Sequence, residues 1–222
     1  MLSRNYFLLI TEENSNPREE LNSGYYNCGM LIYLILLLFC MYEQLGKMNL
    51  KEIIRYAIAS EDAAKNYYQS LVKYLKLNEL VSHKFEFLAR EEEIHRKTLI
   101  RIYEEMFGPQ KYKESLGVKG YVFPPGLPPL EGAIKISNVE SLLEALDIAM
   151  QSEDRAYNVY LFISKKEKDH RQLFERLAML EQGHYNTLKS EKKLYEGIVM
   201  ENPTISKKPV SHLISYYGKL TL

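Results

Sequence analysis

The chain has 222 residues, 46% hydrophobic and 26% charged, ordinary proportions for a globular protein and enough length for one sizeable domain or two small ones. Its 29 basic residues balance 29 acidic ones, with no long like-charge run and no basic stripe interleaved with aromatics, which excludes a field that would draw nucleic acid. The two cysteines, Cys28 and Cys40, exclude a disulfide framework and any Cys-x-x-Cys knuckle, and they fit a reducing compartment such as the cytoplasm.

Residues 1–47 read as an N-terminal extension. Within it the segment 21–42, LNSGYYNCGMLIYLILLLFCMY, carries no charge and is almost purely apolar from Met30 to Met41. A spanning helix needs about 20 mainly apolar residues, a length this segment reaches only with its polar beginning included. Three readings fit: a membrane anchor, a hydrophobic helix buried against the rest of the protein or a partner, or an over-extended start with translation beginning at Met48. As an anchor it would be followed by Lys47, Lys51 and Arg55, holding the main domain on the cytoplasmic side. A cleaved signal peptide is disfavoured, because Arg4 and Arg18 are outnumbered by Glu12, Glu13, Glu19 and Glu20.

From Met48 the apolar positions recur at helical spacing. A first seam runs Leu50, Ile54, Ala57, Glu61, Ala64, Tyr68, Leu71 and Leu75. After a break near Leu77, a second runs Phe85, Leu88, Glu92, His95, Leu99, Ile102 and Met106, and stops at Gly108-Pro109. About 30 residues of weak periodicity follow, including PPGLPPLEG. Ser137 or Asn138 can cap a third helix, with the seam Leu142, Leu146, Ala149, Glu153, Ala156, Tyr160 and Ile163. A fourth, after the charged turn KKEKD, carries Phe174, Leu177, Glu181, His184, Leu188 and Tyr195, with Gly197 and Pro203 as its closing signals. Residues 200–222 form a C-terminal tail with no assigned role. Short links within each pair and a long link between them predict an all-α four-helix bundle over residues 48–199, two helical hairpins joined by a crossover.

The second hairpin repeats the first. AIASEDAAKNYY (57–68) and AMQSEDRAYNVY (149–160) agree at Ala, Ser, Glu, Asp, Ala, Asn and Tyr, and LAREEEIHRKTL (88–99) matches LAMLEQGHYNTL (177–188) at Leu, Ala, Glu, His, Thr and Leu. The spacing makes the first hairpin three residues the longer.

Each seam is apolar except at its centre. There the first and third helices offer Glu61 and Glu153, and the second and fourth offer Glu92-x-x-His95 and Glu181-x-x-His184. Residues three apart share a helix face, so packing the seams together gathers four carboxylates and two imidazoles inside the bundle. Unpaired, that many buried carboxylates would repel one another and lose their hydration. Two divalent ions would balance them, and oxygen-rich ligands with one imidazole per ion suit iron or manganese better than zinc. A Glu from each of two helices and a Glu-x-x-His from the other two is the pattern of di-iron and di-manganese carboxylate bundles. The alanines at 57, 64, 149 and 156 leave room beside the ions. Asp62, Asp154, Glu91 and Glu93 fall off the seam and read as a solvated face, while His83, His170 and His212 have no partner pattern. Tyr68 and Tyr160, two turns beyond the seam glutamates, are candidates for redox or hydrogen-bonding roles, though an aromatic core residue is the commoner case.

These four stretches resemble the ferritin-like domain of rubrerythrin-type proteins over about residues 48–196. The resemblance implies Glu61, Glu92, His95, Glu153, Glu181 and His184 as ligands of two irons, with Glu92 and Glu181 bridging, in a homodimer. Two departures stand out. Ala156 occupies the place of a second third-helix glutamate, and the Cys-x-x-Cys pairs of a rubredoxin domain are absent, so electrons would come from a separate donor protein. The expected function is a non-haem di-iron oxidoreductase reducing hydrogen peroxide or dioxygen. A ferroxidase that handles iron is the alternative, and substrate oxygenation ranks third.

Overall fold

The computed structural model describes residues 39, 41–75, 79–108, 122 and 136–213. Four long helices carry the fold: α1 (Leu50–Tyr74), α2 (Glu79–Phe107), α3 (Val139–Lys166) and α4 (Arg171–Glu201). No strand occurs among the described residues. The all-α helical bundle expected from the periodicity, ferritin-like as the resemblance implies, is the fold observed.

Local chemistry fixes the helix ends. At the start of α1 the Asn49 side chain accepts from the Glu52 amide at 3.0 Å, and the Glu52 carboxylate accepts from the Asn49 amide at 2.9 Å. Asn138 and Ser141 form the equivalent reciprocal pair at α3, at 2.9 and 3.1 Å. Gly108 follows α2 with φ at 83°, a left-handed conformation that costs glycine nothing. Gly197, expected to help end α4, lies inside it. Tyr195 and Ile198 on either side are buried, and their packing outweighs the roughly 1 kcal/mol a mid-helix glycine costs. Pro203 then opens a short 3-10 turn, Pro203–Lys207.

α1 packs on α2 and α3 on α4, and the two hairpins meet mainly through α1 and α3. Every seam position named above is buried except the half-buried Leu50, Met106 and Ala156. Both interhelical links are four residues long, so the three extra residues of the first hairpin are helical. Glu92 lies 13 residues after the start of α2, whereas Glu181 lies 10 after the start of α4.

Residues 203–213, inside the C-terminal tail to which no role was assigned, pack against the bundle. Ile205, Val210 and Leu213 are buried in the cluster that includes Val139 and Leu142, and the Val139 amide donates to the Lys208 carbonyl at 3.1 Å. Most of the apolar segment 21–42, and all of the crossover except Val122, lie outside the described residues. Among the described residues, no helix is long and apolar enough to cross a membrane. Residues 41–47 are helical, with Met41 and Leu45 buried, and Tyr42 donates to Asn158 Oδ1 of α3 at 3.0 Å while its ring meets Phe162.

Candidate metal centre

The four seams meet at mid-bundle, and all six sequence-selected polar residues arrive there. Glu61, Glu92, Glu153, Glu181 and His95 are at most 2% exposed, and His184 is 6% exposed. The Glu92, His95, Glu181 and His184 ligand atoms lie within 4.8 Å of one another. His95 Nδ1 stands 2.7 Å from Glu181, 3.3 Å from Glu92 and 3.8 Å from Glu61. His184 Nδ1 stands 3.3 Å from Glu92 and 3.4 Å from both Glu153 and Glu181. The two rings lie 5.5 Å apart and nearly parallel. Glu92 and Glu181 therefore each face both imidazoles, while Glu61 faces only His95 and Glu153 only His184.

Tyr68 and Tyr160 reach across the bundle. The Tyr68 hydroxyl donates to Glu153, and the Tyr160 hydroxyl donates to Glu61. Each tyrosine thus serves the carboxylate of the opposite repeat, which requires α1 and α3 to run antiparallel. Tyr68 stacks on Phe85, and Tyr160 on Phe174. Both phenylalanines sit seven residues before a seam glutamate, so the supporting residues obey the same internal symmetry as the site itself.

Electrostatics divides the carboxyls into two kinds. Burial pushes Glu61 and Glu153 well above the ordinary carboxylate range, and the charges of Glu181 and Glu92 add to the rise. Burial also acts on Glu92 and Glu181, but the His184 and His95 imidazoles close beside them outweigh it and both are lowered. Those contacts hold the imidazoles protonated against their own burial, with His184 pushed up to about 12. Burial raises Tyr68 and Tyr160 as well, reinforced by the glutamates they bond.

The residues fit a pair of metal ions. Both oxygens of Glu92 and of Glu181 and the Nδ1 atoms of both histidines are buried, yet none makes a hydrogen bond of acceptable geometry. Buried polar atoms are normally satisfied, so donors that converge without aligning on one another point to a cation between them. The donor set is all carboxylate and imidazole, the chemistry of iron and manganese.

The neighbouring residues behave differently from their sequence reading. Asp62 and Glu93 are not simply solvated. Arg96 grips Glu93 with two hydrogen bonds at 2.8 and 2.9 Å, and Lys65 links Glu93 to Asp62 across α1 and α2. These contacts, the Arg96 bonds first, hold Glu93 at about 2. Asp154 is exposed, though partial burial raises it. His170 stands 3.5 Å from Glu105 and 3.8 Å from Glu167, and His83 pairs with Glu86 at the surface.

A cavity between α1 and α3 opens onto the site, with Glu92 and Glu181 on its floor. Ala57, Ala64 and Ala156 line it, while Ala149 packs instead in the apolar core. Of the polar lining residues, Tyr56 and Arg155 escaped the sequence reading. Their repeat counterparts are Ile148 and Ala63, so the internal symmetry that flagged the other site residues gives no signal for them.

With the geometry established, comparison with known proteins gives the family. The family model described as Rubrerythrin matches residues 52–192, which include all six site residues. No curated protein matches. A solved structure of a hypothetical protein from Pyrococcus furiosus is similar at 30% identity and a TM-score of 0.57, covering 70% of this chain and 95% of its own. A match over that span, with the Glu/His cluster at its centre, identifies the chain as a member of the rubrerythrin family.

Proposed function

We propose that the protein is a non-haem di-iron oxidoreductase that reduces hydrogen peroxide, or dioxygen, with electrons from a separate donor. The observation that carries this reading is the set of orphaned oxygens on Glu92 and Glu181, each carboxylate facing both imidazoles. In this reading Glu61 and His95 would hold one ion, Glu153 and His184 the other, with Glu92 and Glu181 available to both. Bound iron would supply two one-electron equivalents in one place, matching the two-electron reduction of a peroxide bond.

The protein's own contribution is positional and electrostatic. Tyr68 and Tyr160 fix the orientation of Glu153 and Glu61 through their hydroxyl bonds, and the stacked Phe85 and Phe174 fix the tyrosines. The buried apolar residues on either side of the site, among them Ile54, Leu99, Leu146 and Leu188, exclude bulk water. The same residues admit manganese, so the metal is part of the proposal.

The test is anaerobic reconstitution with ferrous iron, followed by rapid mixing with hydrogen peroxide or with air-saturated buffer. Faster oxidation by peroxide supports the peroxidase reading. Oxidation by air at an equal or higher rate sinks it. Aerobic loading to many irons per chain would instead favour iron handling.

A further inference from the structure

His184, at 6%, is the most exposed of the six candidate ligands, and it does not line the cavity between α1 and α3. Its ring stacks on that of His95, between α2 and α4. The residue before each histidine lies at the outer surface of this pair of helices. Ile94 is 53% exposed, and the exposed Gly183 has open space where a side chain would stand. Glycine weakens the middle of a helix relative to alanine, and here it bares the backbone beside a candidate ligand. The repeat pairs Ile94 with Gly183, Arg90 with Met179 and Glu91 with Leu180. Equivalent positions on two helices related in this way fall on the same side of the stacked rings. Met179 and Leu180 are exposed there too, and Phe87 extends the apolar surface two turns along α2 from Ile94.

The surroundings of this patch are cationic. Over residues 87–98 and 176–187, candidate ligands aside, Arg90, Arg96, Lys97 and Arg176 stand against Glu91 and Glu93. Glu93 is gripped by Arg96 and has Lys97 at 3.4 Å, whereas Arg90 and Arg176 are exposed and make no ion pair among the described residues. Electron carriers dock through small faces, below about 1,200 Å², that a few apolar side chains can centre. Opposite charge on the two faces sets the partner and speeds encounter. We infer that this face of α2 and α4 docks an acidic electron-carrier protein. Ile94, Met179 and Leu180 seat it, Arg90 and Arg176 draw it, and Gly183 admits it to the backbone beside His184. This rests on the oxidoreductase reading and names the partner of that site. Each encounter oxidises the carrier by one electron and reduces the site by one, and two in succession replace the pair that a peroxide takes. No atom crosses the face.

Docking can be read without turnover. The full-length, iron-loaded protein is titrated by calorimetry with an acidic plant-type ferredoxin and, for comparison, with basic cytochrome c. At about 0.1 M salt, where charges more than about 10 Å apart are largely screened, the ferredoxin is expected to bind about tenfold more tightly. Arg90→Glu and Arg176→Glu should each weaken its binding about fivefold, an effect that fades near about 1 M salt. Ile94→Ser combined with Leu180→Ser should weaken it about tenfold at either salt. Lys166→Glu on α3 and Lys208→Glu beyond α4 make the same charge change elsewhere and should alter affinity less than about twofold. The rate at which the loaded protein oxidises reduced ferredoxin should follow the affinities. Arg90→Glu and Arg176→Glu proteins that bind ferredoxin as well as Lys166→Glu and Lys208→Glu, all with wild-type circular dichroism, overturn the inference. Wild-type protein that binds ferredoxin no better than cytochrome c does the same. A dimer by light scattering that Ile94→Asp splits gives the face to a second copy and also overturns it. Wild-type protein that takes up no iron defeats instead the oxidoreductase reading beneath it.

Discussion

At the scale of single residues, the two tyrosines show how the site is held. Each is buried and donates to the glutamate of the opposite repeat, so its removal frees a carboxylate rather than opening a surface. Tyr68→Phe and Tyr160→Phe are each expected to weaken metal binding about 10- to 100-fold by isothermal titration, the usual cost of losing such a supporting bond. The internal symmetry predicts similar losses, and a large difference between the two would show that the halves are not equivalent. Glu61→Leu and Glu153→Leu act in two directions. They remove a buried carboxyl that is costly to ionise, which is expected to stabilise the apo protein by about 1 kcal/mol. They also remove a ligand, so the rise in melting temperature on adding metal should shrink sharply. If either leucine variant keeps the full metal-induced shift, that glutamate is not a ligand.

At the scale of helices, the capping boxes and interhelical ion pairs are local terms that can be removed one at a time. Asn138→Ala takes away the cap of α3 and is expected to cost about 1 kcal/mol in denaturant unfolding. Lys192 on α4 reaches Asp147 on α3 at 2.6 Å and Glu196 at 3.3 Å. Partial burial opposes its charge, but these two carboxylates prevail and raise it above 10.5. A lysine raised on folding adds stability that is fully present below its unfolded value and is lost as pH climbs through the folded one. Lys192→Met should therefore lower stability by a few tenths of a kcal/mol, since solvent screens the pair. The difference from wild type should be constant around neutral pH and be lost as pH climbs above 10.5. A difference that survived deprotonation of the lysine would assign the effect to another group.

The same elements show what could be read from the chain and why. Glu61 and Glu153 were recognisable because each breaks an apolar seam at the same point of a repeated motif, and Glu92 and Glu181 because each has a histidine three residues on. Periodicity describes one helix at a time, and repetition adds a second copy for comparison. Neither describes lateral contacts. The pairing of each tyrosine with the opposite repeat's glutamate and the Lys65–Glu93 tie both depend on which helix lies beside which. Residues 203–213 were missed for a different reason. Ile205, Val210 and Leu213 lie in segments too short to establish a period, and they are buried by the ends of longer helices. Gly197 misled because helix propensity is a weak preference that flanking buried side chains override.

At the scale of the whole molecule, two hairpins that each carry three of the six candidate ligands are brought together at a charged core. Glu92 and Glu181, one from each hairpin, face both imidazoles. Metal bound by these residues would be coupled to the joining of the hairpins, and its removal should loosen that joint. Addition of a strong chelator to metal-loaded protein is expected to lower the melting temperature by several degrees, in line with ligand linkage. A melting temperature insensitive to chelator would mean that the core is held by its protons and hydrogen bonds alone. The central claim is that the six side chains hold two metal ions, and anaerobic titration of the apo protein with ferrous iron tests it most directly. Saturation at two irons per chain, reduced in the Glu92→Ala and Glu181→Ala variants, is the predicted result. Saturation at one iron, or no saturable binding, would contradict it.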